Sequence, residues 1–142
     1  MKLEKPDGVQ GSSGHRAWSK QGKLKLDIRP QHGGSVVVHC KGHIVFGPDS
    51  RALTTVVADA LPAVGRLIID LGQVESVDSA GLGELVLLHM WAEAAGHSLK
   101  FAGLRPRVRS LLELTNLASV FDTYDTLAEA TAAMRHETLC SA

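Results

Sequence analysis

The run Leu67-Ile68-Ile69-Asp70-Leu71, bounded by Gly65 and Gly72, constrains this chain most strongly. It is short, apolar and β-branched, which predicts a buried strand. A polar turn follows at residues 72–77. Asp78 and Ser79, both suited to capping a helix, then precede a long apolar helical pattern. A strand that passes through a loop into a helix needs a layer on which to pack. It also leaves Ser79 where the loop becomes helix, beside unpaired backbone N–H groups and the positive end of the helix dipole. A phosphate group is stabilised at such a place.

The flanking segments support a layered α/β fold. Lys23, Lys25, Asp27 and Arg29 alternate with Leu24, Leu26 and Ile28, the pattern of a half-buried strand. Pro30 suits that strand's end, His32-Gly33-Gly34-Ser35 is a turn signal, and Val36-Val37-Val38-His39-Cys40 is a β-branched run. Together they predict a β-hairpin. After the apolar segment Ile44-Val45-Phe46, Pro48 and Asp49 open a helix. Its apolar residues are Leu53, Val56, Val57, Ala60, Leu61 and Val64, with Pro62 ending or kinking it near Leu61.

The helix after Ser79 is predicted over residues 80–95. Leu82, Leu85, Val86, His89, Met90 and Glu93 form its stripe, and Gly96 is its stop. Residues 98–102 alternate as a strand. Pro106 begins a third helix bearing Val108, Leu111, Leu112 and Thr115. A short edge strand is expected around Val120-Phe121. Thr126 with Glu129 matches a capping box for an alanine-rich last helix reaching about Arg135. The predicted order is β-β-α-β-α-β-α-(β)-α, with about four helices on a mixed sheet of four to five strands.

Composition narrows the function. The 142 residues fit one domain with a real core. Residues 1–22 read as a polar tail, 23–137 as the folded domain and 138–142 as a frayed end. Lys plus Arg number 15 and so do Asp plus Glu, so no bulk charge argues for nucleic acid or an anionic membrane. No stretch resembles a signal peptide or a bilayer span. Cys40 and Cys140 lie far apart; two free thiols suggest a reducing, cytoplasmic compartment. The seven histidines are dispersed. His39 and His43 would share a metal only if the local geometry cooperated, and no cofactor is expected.

Asp78-Ser79-Ala80-Gly81-Leu82-Gly83, following a strand that ends in Asp70-Leu71, resembles the Asp-Ser-x-Gly-Leu-Gly loop of STAS domains, and more closely that of bacterial anti-sigma factor antagonists. The likeness extends to Gly96-His97-Ser98-Leu99-Lys100 and to Val108-Arg109-Ser110-Leu111-Leu112-Glu113-Leu114-Thr115-Asn116-Leu117, and covers about residues 23–137. Many family members carry an acid three positions beyond the glycine that ends the second strand. Here Gly42 is followed by His43, Ile44 and Val45.

The resemblance implies a STAS-type single domain without catalytic activity, whose partner is an anti-sigma factor that is also a serine kinase. It implies Ser79 as the phosphoacceptor and Asp78, Ser79, Ala80, Gly81, Leu82 and Gly83 as the partner-binding surface. The residues themselves leave alternatives: an N-cap serine, a structural STAS module of a signalling scaffold or lipid-transport assembly, or a serine hydrolase. The hydrolase lacks Gly-x-Ser-x-Gly, and no histidine lies near Ser79 in sequence. There is no Gly-Lys-Ser/Thr, hence no P-loop. Gly81 and Gly83 are read as small residues that let a partner or neighbouring strand approach. Leu82 is a candidate exposed anchor. The acids of Asp122-Thr123-Tyr124-Asp125 are expected in a solvated turn.

Overall fold

A computed structural model of the protein describes residues 15–18 and 24–140. Strands β1 (His15–Trp18), β2 (Leu24–Pro30) and β3 (Val36–Ile44) form an antiparallel meander. The predicted hairpin is β2–β3, with Leu26 opposite Cys40 and Ile28 opposite Val38. Its turn places Gly33 and Gly34 at φ near +88° and +87°, where only glycine is unstrained. From β3 onward the sheet is parallel: α1 (Pro48–Val64), β4 (Arg66–Val77), α2 (Ser79–Ala95), β5 (Ser98–Ala102), α3 (Pro106–Leu114), β6 (Thr123–Tyr124) and α4 (Leu127–Cys140). The strands lie in sequence order across the sheet.

That order explains where the helices sit. Parallel crossovers are right-handed, so successive crossovers advancing one way along a sheet fall on one face. The main core accordingly joins α1, α2 and α3, through Leu53, Val57, Leu61, Leu85, Leu88, Val108 and Leu112, to Leu24, Leu26, Val38, Leu67, Ile69, Leu71 and Phe101 of the sheet. Among the described residues, α4 is the helix on the other face, with Ala130 and Met134 against Val37, Ile68 and Ala102. Thr126 Oγ accepts from the Glu129 N–H at 3.1 Å, as the capping box predicts.

Several elements differ from the sequence reading. Among the described residues the sheet has six strands, and the one beyond the expected four to five is β1, inside the region read as tail. Residues 1–14 and 19–22 of that tail lie outside the described residues. Strand β4 runs through the expected polar turn, because β3 extends beside it: Gly42 pairs with Val74 and His43 with Ser76. The last parallel strand is at Thr123–Tyr124, not Val120–Phe121. Phe121 turns inward to lie 4.8 Å from the ring of Phe101. Helix α1 continues past Pro62 to Val64. The carbonyl that loses its donor belongs to Ala58, which is exposed and has water available. Helix α4 extends to Cys140.

Candidate functional site

Asp78 is the N-cap of α2. Its Oδ1 accepts from the Gly81 N–H at 2.8 Å, and its Oδ2 accepts from the Phe46 N–H at 2.9 Å. Its own N–H donates to the Ile44 carbonyl at 3.2 Å. One residue thus starts the helix and ties it to the β3–α1 loop. The N–H groups of Phe46 and Gly81 hold its carboxyl below the usual carboxylate range.

Because Asp78 caps the helix, Ser79 does not. Ser79 is the first residue of α2 and is exposed. Its hydroxyl therefore stands at the helix N-terminus without a capping role.

The two glycines of the loop have different origins. A Cβ on Gly81 would lie 2.0 Å from the Ile44 carbonyl oxygen, so the end of β3 requires glycine there. A Cβ on Gly83 would meet nothing within 4 Å. Gly81 and Leu82 are buried, while Ser79 and Gly83 are exposed and Asp78 and Ala80 partly so. Leu82, 7% exposed, belongs to the core, which overturns its reading as an exposed anchor. The exposed apolar side chains near the loop are ones the sequence reading missed. Phe46, hydrogen-bonded through its N–H to Asp78, is 81% exposed, and Leu114 is 82% exposed. Leu114 rims a groove of about 470 Å³ that also takes in Ser76, Val77, Arg107, Val108, Ser110 and Leu111, just ahead of Asp78. The available signal was that Phe46 stands directly before Gly47-Pro48, a turn signal, and turns run over the surface.

The other candidate groups are engaged elsewhere. His39 Nδ1 lies 2.8 Å from Asp70 Oδ2 and His43 Nδ1 lies 2.6 Å from Ser76 Oγ. His89 packs edge-on against Phe121, at the core edge as expected. Among the described residues, no three His, Cys, Asp or Glu side chains gather to hold a metal ion, and no helix is long and apolar enough to cross a membrane. Cys40 is buried, and burial first, then Asp70, pushes its thiol up well beyond the ordinary range. The acids read as a solvated turn are exposed, and both are also paired. Asp122 Oδ2 accepts from the buried Lys100 Nζ at 2.6 Å, and Asp125 Oδ1 accepts from Arg109 at 2.6 Å.

Among the described residues, a mixed sheet with three helices on one face, one on the other, and an exposed serine at the start of α2 defines an α/β domain. The chain belongs to the STAS domain family, whose model matches residues 26–130. It is 32% identical over 65 residues to a Thermotoga neapolitana homologue of TM1081, named for anti-sigma factor antagonism. That match takes in 46% of this chain and 58% of the relative's length, less than two thirds of it. An anti-sigma factor antagonist from Mycobacterium paratuberculosis superposes with a TM-score of 0.69 at 25% identity, over 83% of this chain and 98% of that one. The anti-sigma factor antagonist SpoIIAA in its unphosphorylated form shares the fold, with a TM-score of 0.66 at 19% identity over 78% and 96% of the two chains.

Proposed function

We propose that the protein is an anti-sigma factor antagonist: a non-catalytic, cytoplasmic binding switch controlled by phosphorylation of Ser79. In this reading the unphosphorylated loop docks on an anti-sigma factor with serine kinase activity, and a sigma factor is released. The observation that carries it is the division of labour at the start of α2. Asp78 caps the helix, so the Ser79 hydroxyl is exposed and can be modified without unmaking the fold.

A phosphate adds about −1.5 to −2 charges near neutral pH. The helix N-terminus tolerates that charge, and the two N–H groups held by Asp78 stay in place. The effect falls on the interface. There a phosphate beside the Asp78 carboxylate must be desolvated by the covering partner, at a cost of several kcal/mol without a matching cation. Each ~1.4 kcal/mol is a tenfold loss of affinity. The exposed members of the loop, Asp78, Ser79, Ala80 and Gly83, are the contact residues in this proposal, with Phe46 and Leu114 as flanking apolar anchors. Gly81 and Leu82 shape the loop from beneath.

The test is calorimetry with the cognate anti-sigma factor. Ser79→Ala is expected to bind like the unmodified protein. Ser79→Asp and the phosphoprotein are expected to bind at least tenfold more weakly with unchanged circular dichroism. Equal affinity of all three forms refutes the switch.

A further inference from the structure

Alternation along the strands gives each side chain a face of the sheet. Leu24 and Leu26 of β2, Val38 and Cys40 of β3, and Ile69 and Leu71 of β4 enter the main core. Lys25 and Asp27, His39 and Lys41, and Asp70 therefore stand on the face that carries α4. That helix packs chiefly on β4, β5 and β6. Beside it, over β2, β3 and β4, lies an open hollow of about 480 Å³, lined by these five residues together with Arg29 and Gln73. Its size suits a small ligand. No residue of the Ser79 loop lines it.

Asp70 is held there from several directions. Its Oδ1 accepts from the Gly72 N–H at 2.9 Å, and its Oδ2 lies 2.8 Å from His39 Nδ1. Strand β4 carries one extra residue between the pairs His39–Asp70 and Lys41–Gln73. Bulges of this kind re-aim the groups beside them, and this one brings the Gly72 N–H onto the carboxylate. A Cβ on either Gly72 or Gly103 would lie 3.2 Å from the same Oδ1, so both neighbours are small where the carboxylate sits. A carboxylate only accepts, hence Nδ1 of His39 carries the proton. That bond fixes the ring and leaves Nε2 as its polar atom for a ligand.

The charges around Nε2 say what fits. Lys25 and Lys41 stand directly opposite each other in the β2–β3 register, and both are exposed. Like charges so placed destabilise a sheet, and an anion between them offsets the repulsion. His39 is two residues from Lys41 on the same face, roughly 7 Å along the strand. A planar carboxylate is best matched by the fork of an arginine, but Arg29 is engaged by Asp27 at 3.0 Å. Two ammonium groups and an imidazole, approaching from two strands, suit the tetrahedral oxygens of a phosphate. Nε2 accepts from a protonated phosphate oxygen or, as imidazolium, donates to an ionised one. A bare phosphate leaves most of the hollow empty, which favours one that carries an organic body.

We infer that this hollow binds a small phosphomonoester, its phosphate held by Lys25, Lys41 and His39, with Asp70 as the positioning residue for the imidazole. The inference goes beyond the anti-sigma reading and shares no residue with it.

The full chain is titrated with glycerol 3-phosphate, with malate, and with sodium chloride at matched ionic strength, and followed by amide and imidazole nitrogen NMR. Glycerol 3-phosphate is expected to give saturable shifts at Lys25, His39 and Lys41 that chloride does not reproduce. Lys41→Met is expected to weaken binding roughly tenfold while melting near the wild-type temperature, since that side chain already faces water. The wild-type ring of His39, when neutral, is expected to carry its proton on Nδ1. Asp70→Asn, whose amide donates to Nδ1, is expected to move that proton to Nε2. A neutral wild-type ring protonated on Nε2 refutes the positioning role. The site itself is overturned by the lack of a saturable shift with glycerol 3-phosphate, by shifts that chloride equals, or by unchanged binding in Lys41→Met. If malate binds and glycerol 3-phosphate does not, the hollow takes carboxylates and the phosphate assignment is wrong.

Discussion

Replacing Gly81 by alanine tests the link between loop and sheet most directly. The new Cβ would sit 2.0 Å from the Ile44 carbonyl oxygen and 2.8 Å from its carbonyl carbon. That is about 1 Å short of the 3.0 Å that real Cβ contacts keep. Backbone cannot swing aside as a flexible side chain does. The helix start must retreat, and the same Ile44 oxygen accepts the Asp78 N–H, so that bond weakens along with the one from Phe46 to Asp78. Overpacking costs about 1–3 kcal/mol, and a lost hydrogen bond about 0.5–1.5 kcal/mol. The higher helix propensity of alanine offsets at most about 1 kcal/mol. The net is a loss of roughly 2–3 kcal/mol, or about 10 °C in Tm for a domain of this size. Gly83→Ala, with open space around it, gains about 0.5–1 kcal/mol from the same propensity term. Thermal melts followed by circular dichroism give both numbers. If Gly81→Ala melts within about 2 °C of wild type, the close approach does not hold the loop, and the assigned role of Gly81 is wrong.

Asp78→Ala should cost about 0.5–2 kcal/mol by removing the cap. Because the folded carboxyl titrates below its ordinary value of 3.8, its stabilisation is present above that value and is lost as pH falls through the lower folded one. The stability gap between variant and wild type should therefore shrink in acid, and a gap that widens there sinks the assignment. Lys100, 1% exposed, is bonded to Asp122 and Glu137. Burial opposes its charge, but those two partners outweigh it and raise its pKa. Both carboxylates are half exposed and return to water when the ammonium goes, so urea denaturation should show Lys100→Met within about 1 kcal/mol of wild type. Lys100→Ala, which also removes the packed stem, should be about 2 kcal/mol worse; equal damage from both would mean that the ion pairs dominate.

The sequence by itself determined the elements whose signals are local. The alternation at Leu24, Leu26 and Ile28, the Gly33-Gly34 turn and the β-branched Val36-Val37-Val38 specify the hairpin without outside help. Asp78 and Ser79 ahead of an apolar run mark the helix start and hence the site. The tertiary structure decided whatever depends on what lies alongside. Residues 72–77 have turn chemistry but become strand, because the end of β3 supplies the ladder. Phe121 looked like strand and became core, because the ring of Phe101 was there to receive it, and the last parallel strand fell at Thr123–Tyr124 instead. Helix α2 has apolar residues on more than one side, so periodicity set Met90 on the stripe and left Leu82 a candidate for exposure; the position of the sheet decided the reverse, with Leu82 inside and Leu87 and Met90 outside. Two glycines two residues apart look alike in sequence. The carbonyl of Ile44, brought from 37 positions earlier in the chain to within 2.0 Å of where a Cβ would stand, makes one of them obligatory and leaves the other free.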